Sequence, residues 1–127
     1  MDSIIITNNK LVFEKYKDRY TVVYNEKYSY LDVLEYVRNK IHEGHVLTTH
    51  PLSGSIKPNE TPYKTIMISK KKGTLDYDSL SIIEDSIATA KKFISNEPTP
   101  NWPEKILEDF RIIDLSLIEN VIDKLLI

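Results

Sequence analysis

The chain contains no cysteine, and that absence alone excludes thiol nucleophiles, disulfides and cysteine–zinc centres. It has only 3 glycines, and neither Gly-x-Gly-x-x-Gly nor a phosphate loop ending in Lys-Ser/Thr occurs, so nucleotide binding has no support and no cofactor is expected. No apolar run approaches the ~20 residues that span a bilayer. Met1-Asp2-Ser3 lacks a basic region, and Ile4-Ile5-Ile6 is too short for a signal peptide. These features predict a cytoplasmic protein with no membrane partner. An excess of one charge is also missing: 17 basic against 19 acidic residues give a net charge of −2. A nucleic-acid partner, which calls for a basic stripe against the phosphates, is therefore not expected.

What is present suits one globular unit. A chain of 127 residues, 41% hydrophobic and 28% charged, can bury a core and is too apolar for a disordered chain. No repeat or linker divides it, so residues 1–127 read as a single α/β domain with a proline-rich loop (49–64) and a C-terminal helical segment (103–126). Ile4-Ile5-Ile6 is a β-branched run of the kind buried on both faces of a parallel sheet. Thr7-Asn8-Asn9 stops it and can cap a short helix through Leu11, Val12 and Tyr16. Tyr20 to Tyr24 reads as a second strand. Ser29, with Asp32 three residues on, opens a helix whose apolar stripe is Val33, Leu34, Val37 and Ile41, and Gly44 ends it. His45 to Thr49 and Thr65 to Ser69 read as further strands.

A helix over 78–95 follows, with Leu80, Ile83, Ile87, Ala90 and Ile94 on its buried stripe. A second begins at Pro103, and a third is capped by Asp114. The expected architecture is a small three-layer Rossmann-like domain with a mostly parallel four-stranded sheet. Its strands lie near residues 3–7, 20–24, 46–49 and 64–69, the first three parallel, with helices on both sides.

An open parallel sheet binds ligands beyond the carboxyl ends of its strands. That rule draws attention to Thr7, Asn8 and Asn9, and above all to the loop His50-Pro51-Leu52-Ser53-Gly54-Ser55-Ile56-Lys57-Pro58-Asn59-Glu60-Thr61-Pro62-Tyr63-Lys64. Loops beyond roughly 12 residues without regular structure are usually functional or disordered, and three prolines argue for order. Ser53-Gly54-Ser55 can present donors in a concave nest, and Lys57 and Lys64 add positive charge, with Asn59 between them. The combination suits a small anion such as a phosphate or carboxylate. The predicted ligand-binding set is Thr7, Asn8, Asn9, His50, Ser53, Gly54, Ser55, Lys57, Asn59 and Lys64.

Catalytic candidates are fewer. His50 is placed to act as a general base on a phosphorylated or carboxylated metabolite, with Glu60 as its partner acid. A metal centre is not expected: a strand separates His45 from His50 by about 16 Å when extended, beyond one metal's reach, and His42 suits a helix C-terminus. Trp102, the only tryptophan, either packs its connector onto the body or serves as a partner-facing anchor. Leu115, Ile118, Val121, Ile122, Leu125, Leu126 and Ile127 give the tail enough apolar surface for a homodimer contact.

The segments Ile4-Ile5-Ile6-Thr7-Asn8-Asn9, His50 through Lys64, and Pro98-Thr99-Pro100-Asn101-Trp102-Pro103 resemble the GrdX family. These are small proteins associated with the glycine, sarcosine and betaine reductase gene clusters of anaerobic bacteria. The likeness runs nearly end to end and is most specific in the middle segment. It implies an accessory role beside amino-acid reduction, with a reductase component as a possible partner, and carries no catalytic residues over. Lacking cysteine, the chain is not expected to share the reductase's thiol or selenol chemistry.

Overall fold

The structure, a computed structural model, describes residues 2–54 and 56–125. Its elements in chain order are β1 (Ser3–Thr7), α1 (Lys10–Tyr16), β2 (Thr21–Tyr24), α2 (Tyr30–His42), β3 (Thr65–Ser69), α3 (Tyr77–Asn96) and α4 (Glu104–Leu125). Local chemistry accounts for the helix starts. The Asn9 side chain accepts from Leu11 N at the head of α1. Ser29 and Asp32 complete both halves of a capping box at α2. Asp76 accepts from Ser79 N at α3. Gly44 closes α2 with φ 107°, a left-handed conformation that glycine adopts without a Cβ clash.

The three strands form one sheet in the order β2-β1-β3. β1 runs parallel to β2 and antiparallel to β3, with Thr7 opposite Thr65 and Ser3 opposite Ser69. Alternation then sorts the side chains. Ile6, Ile66 and Ile68 pack with Val33, Leu34, Val37 and Ile41 of α2 and Ile83, Ile87 and Ala90 of α3. Ile5 and Met67 face the other way, onto Val12 and Tyr16 of α1 and Ile118 and Ile122 of α4. Ile5, Ile6, Ile66, Met67 and Ile68 are all 0% exposed, so both faces of the sheet are covered. Each such side chain contributes roughly 1.5–3 kcal/mol.

Two expectations need correction. The sheet is not mostly parallel and four-stranded; it is three-stranded and mixed. Residues 46–49 make only an isolated antiparallel bridge, Leu47 opposite Ile68. The N–H groups of Val46 and Leu47 donate to the hydroxyls of Ser69 and Ser79, which cuts the ladder short. β3, with the fully buried centre Ile66-Met67-Ile68, takes the place beside β1, while Val46, 39% exposed, stays at the rim. The C-terminal segment is also one helix, not two. Asp114, expected to cap a last helix, lies in the interior of α4.

The mixed topology has a consequence for function. β1 and β2 end, and β3 begins, at the same edge of the sheet. Asn8, Asn9 and the end of the 49–64 loop are thereby gathered in one place.

Candidate functional site

At that edge Asn8 acts as a clamp. Its Nδ2 donates to the carbonyls of Tyr28 (2.9 Å) and Pro62 (2.8 Å), and its Oδ1 accepts from Lys64 N (2.9 Å). One side chain thus fixes the turn before α2 and the end of the long loop to the tip of β1. Asn9 reaches the opposite layer. Its Nδ2 donates to the Arg111 carbonyl (2.9 Å) and to Asp114 Oδ2 (3.0 Å).

Asp114 is the terminus of a hydrogen-bonded chain. Thr65 Oγ1 donates to its Oδ2 at 2.7 Å, and Thr7 Oγ1 lies 2.7 Å from Thr65 Oγ1. An ionised carboxylate only accepts. The single Thr65 proton is therefore committed to Asp114, Thr7 donates to Thr65, and Thr7 Oγ1 in turn accepts from Asn9 N (3.0 Å). Burial pushes the Asp114 carboxyl above the usual carboxylate range, while the bonds from Thr65 and Asn9 and the nearby Lys64 charge pull it down.

Lys64, the last residue before β3, is 7% exposed, as is Asp114. Burial lowers its ammonium below the ordinary lysine value, and the Asp114 charge opposes that shift. Its Nζ lies 5.9 Å from the centre of the Tyr30 ring. Among the described residues, no ion pair within 4.0 Å involves Lys64, and no hydrogen bond is made by its ammonium. Yet Lys64 and Asp114 both line two small adjoining cavities. One, of about 20 Å³, is walled by Tyr30, Ser53, Ile56 and Phe110; the other, of about 10 Å³, by Thr49, Thr65 and Ile118. Room for a water begins at roughly 10–15 Å³. The Tyr30 phenol is raised by burial and by Asp114, so it stays protonated as a hydrogen-bond donor.

The long loop borders this space, and its residues divide into two groups. Ser53 and Lys64 line the cavities. Gly54, with φ 99°, rests on α4: a Cβ there would lie 2.9 Å from Leu117 Cδ1. Asn59 is buried, and its Oδ1 has no hydrogen-bond partner. Ser53 and Gly54 are nevertheless exposed, as are Lys57 and His50, which line neither cavity. His50 Nδ1 accepts from Leu52 N within its own turn. Glu60 is exposed, and its backbone carbonyl accepts from Trp102 Nε1 at 2.7 Å. Trp102 also packs on Phe110, with ring centres 5.8 Å apart, so it pins the loop to α4. Ser55 lies outside the described residues.

Asp114, Thr65, Tyr30 and Arg111 were not among the expected site residues. Arg111 is buried beside the cavities, donating to Glu104, Glu108 and the Tyr63 hydroxyl. Those carboxylates and the phenol hold its guanidinium firmly charged despite burial. One sequence signal does point to Asp114: it stands four residues after Phe110 and four before Ile118, on the apolar stripe of its helix. Among the described residues no group of three or more His, Cys, Asp or Glu side chains is placed to hold a metal, and no helix is long and apolar enough to cross a membrane. Of the tail residues, Ile118 and Ile122 are buried in the domain itself, with Leu115 and Val121 against them. Leu125 is exposed, and Leu126 and Ile127 lie outside the described residues.

The chain matches no curated protein and no solved structure. A family model described as GrdX-like protein matches residues 4–123.

Proposed function

The chain belongs to the GrdX family, and from that premise we propose that it is a cytoplasmic, non-catalytic accessory protein of glycine and betaine reductase metabolism that binds a small anionic metabolite at Lys64. The reductase context is what the resemblance implies. The binding reading rests on one observation: a lysine only 7% exposed whose ammonium makes no hydrogen bond or ion pair among the described residues, lining a small cavity beside the 49–64 loop. A buried charge left unpaired is costly, and an entering anion relieves that cost through charge-assisted hydrogen bonds. Binding is favoured over turnover because His50 is exposed with its Nδ1 engaged in its own turn, and Glu60 is exposed with no hydrogen bond to His50 among the described residues.

The position of the cation matters. Lys57 lines none of the cavities described above, which shifts the anchoring role to Lys64. Titration calorimetry with phosphate, sulfate and acetate tests this reading. Lys64→Met should weaken binding by about tenfold or more, the loss of one charged hydrogen bond, while Lys57→Ala leaves it unchanged. Absence of binding at millimolar concentration, or a loss confined to Lys57→Ala, overturns the reading.

A further inference from the structure

We propose that the cleft beyond the ends of β1 and β2 is a second binding site, separate from the Lys64 cavities, and that it takes a small aromatic carboxylate. Ligands of an open α/β sheet gather beyond the carboxyl ends of its parallel strands. Asn8 follows β1 at that edge, and Glu26 and Lys27 follow β2. Two adjoining hollows lie there, of about 410 Å³ and 390 Å³, and Asn8, Glu26 and Tyr63 line both. Small-molecule sites run from roughly 300 to 1,000 Å³, so either hollow has room for a ring. Glu26, Lys27 and Glu104 in their walls are exposed, so the cleft is reached from solvent as it stands.

The two hollows differ in chemistry. The first has an apolar, aromatic wall of Tyr28, Leu31, Pro62, Tyr63, Ile94 and Leu107. These come from the turn before α2, α2 itself, the end of the long loop, α3 and α4. Several of them are held in place. The Tyr28 ring packs on Tyr36 with centres 6.1 Å apart. The Pro62 carbonyl accepts from Asn8, and the Tyr63 hydroxyl accepts from Arg111. Such a wall favours an aromatic body, because ring pairs are worth more than the area they bury.

The second hollow is charged. Lys10, Lys27 and Arg111 line it together with Glu26 and Glu104, a formal excess of one positive charge. Glu104 is already taken by Arg111. Neither Lys10 nor Lys27 has an ion-pair partner within 4.0 Å among the described residues. One excess positive charge suits a carboxylate better than a dianionic phosphate. Glu26, at the junction, repels an anion placed there or in the apolar hollow. The ligand is thereby given its order, with the ring against the tyrosines and the carboxylate toward the lysines.

NMR titration of the isotope-labelled protein with phenylacetate, acetate and benzyl alcohol tests the site, since these carry both parts, the anion alone and the ring alone. Read at the amide signals of Lys27, Tyr28 and Leu31, phenylacetate should bind at least about tenfold more tightly than either fragment. Replacing both exposed lysines, Lys10→Gln with Lys27→Gln, should weaken phenylacetate about fivefold, the modest loss expected of solvated charges. The same double variant should leave benzyl alcohol binding unchanged. Acetate or benzyl alcohol binding as tightly as phenylacetate overturns the two-part site. So does the absence of phenylacetate binding at millimolar concentration, or a response confined to residues 49–54, Lys64 and Asp114.

Discussion

Replacing Asn8 with alanine is the most direct test of how the site is built. Asn8 is 3% exposed and makes three hydrogen bonds, to the Tyr28 carbonyl, the Pro62 carbonyl and Lys64 N, at 2.8–2.9 Å. Asn8→Ala orphans one N–H and two carbonyls in largely buried surroundings. A typical hydrogen bond is worth about 1 kcal/mol net, and a stranded buried partner costs about 1–3 kcal/mol. Some carbonyls regain water as the loop relaxes, so the expected loss is about 3–4 kcal/mol in total. At this chain length that corresponds to a fall in Tm on the order of 10–15 °C. Asn8→Asp separates geometry from chemistry. It keeps an acceptor for Lys64 N but sets a carboxylate against two carbonyls, so it should be at least as damaging at neutral pH. Urea denaturation followed by circular dichroism measures both, provided the m-value is unchanged. A loss below about 1 kcal/mol for Asn8→Ala, or tolerance of Asn8→Asp, would refute the clamp.

Other substitutions probe separate features. Gly44→Ala forces a side chain onto φ 107° and places its Cβ 2.2 Å from the Gly73 carbonyl oxygen; it should cost about 2 kcal/mol or more, read as a drop in urea midpoint. Trp102→Phe keeps packing on Phe110 but removes the 2.7 Å bond to the Glu60 carbonyl. It should lower stability by about 1 kcal/mol and raise amide exchange in residues 56–63 specifically, and unchanged exchange there would count against the pinning role. Asp114 titrates above its ordinary value of 3.8, so between that value and the raised one the native state binds more protons than the unfolded chain. Its contribution to stability therefore falls as pH rises through this window. The stability of the parent relative to Asp114→Asn should accordingly decline from about pH 4 upward, and an increase would contradict the burial argument. Because the Lys64 charge holds Asp114 down, Lys64→Met should raise the Asp114 carboxyl further, measurable by carbon NMR.

Much of the local structure was legible because its causes are local. The capping box at Ser29 and Asp32, the stripe Val33-Leu34-Val37-Ile41 and the left-handed Gly44 each follow from neighbouring residues. The β-branched core of β1 announced a strand covered on both faces. Strand order was not legible, because residues 46–49 and 65–69 carry similar patterns. Their places are decided by which buries more apolar surface, and by two serine hydroxyls, Ser69 and Ser79, that reach the chain from elsewhere. The site was legible in part for the same reason. Thr7, Asn8, Asn9 and Lys64 do meet at one edge of the sheet. Asp114 joins them from a distance of 105 residues along the chain, through its bond to Asn9, and no local pattern encodes that meeting.

The antiparallel entry of β3 is what assembles this edge of the sheet. Had β3 run parallel to β1, its N-terminal residues Lys64 and Thr65 would lie at the far edge of the sheet from Asn8. Its reversal brings a lysine, a threonine and the end of a proline-rich loop onto the tip of β1 together. The loop then crosses to α4, where Gly54 sits against Leu117, one helical turn from Asp114. Leu117 also lines both small cavities together with Asp114. Trp102 holds the far end of the loop through the Glu60 carbonyl. The loop is thus tied to α4 at two places, through Gly54 on Leu117 and through Trp102 on Phe110.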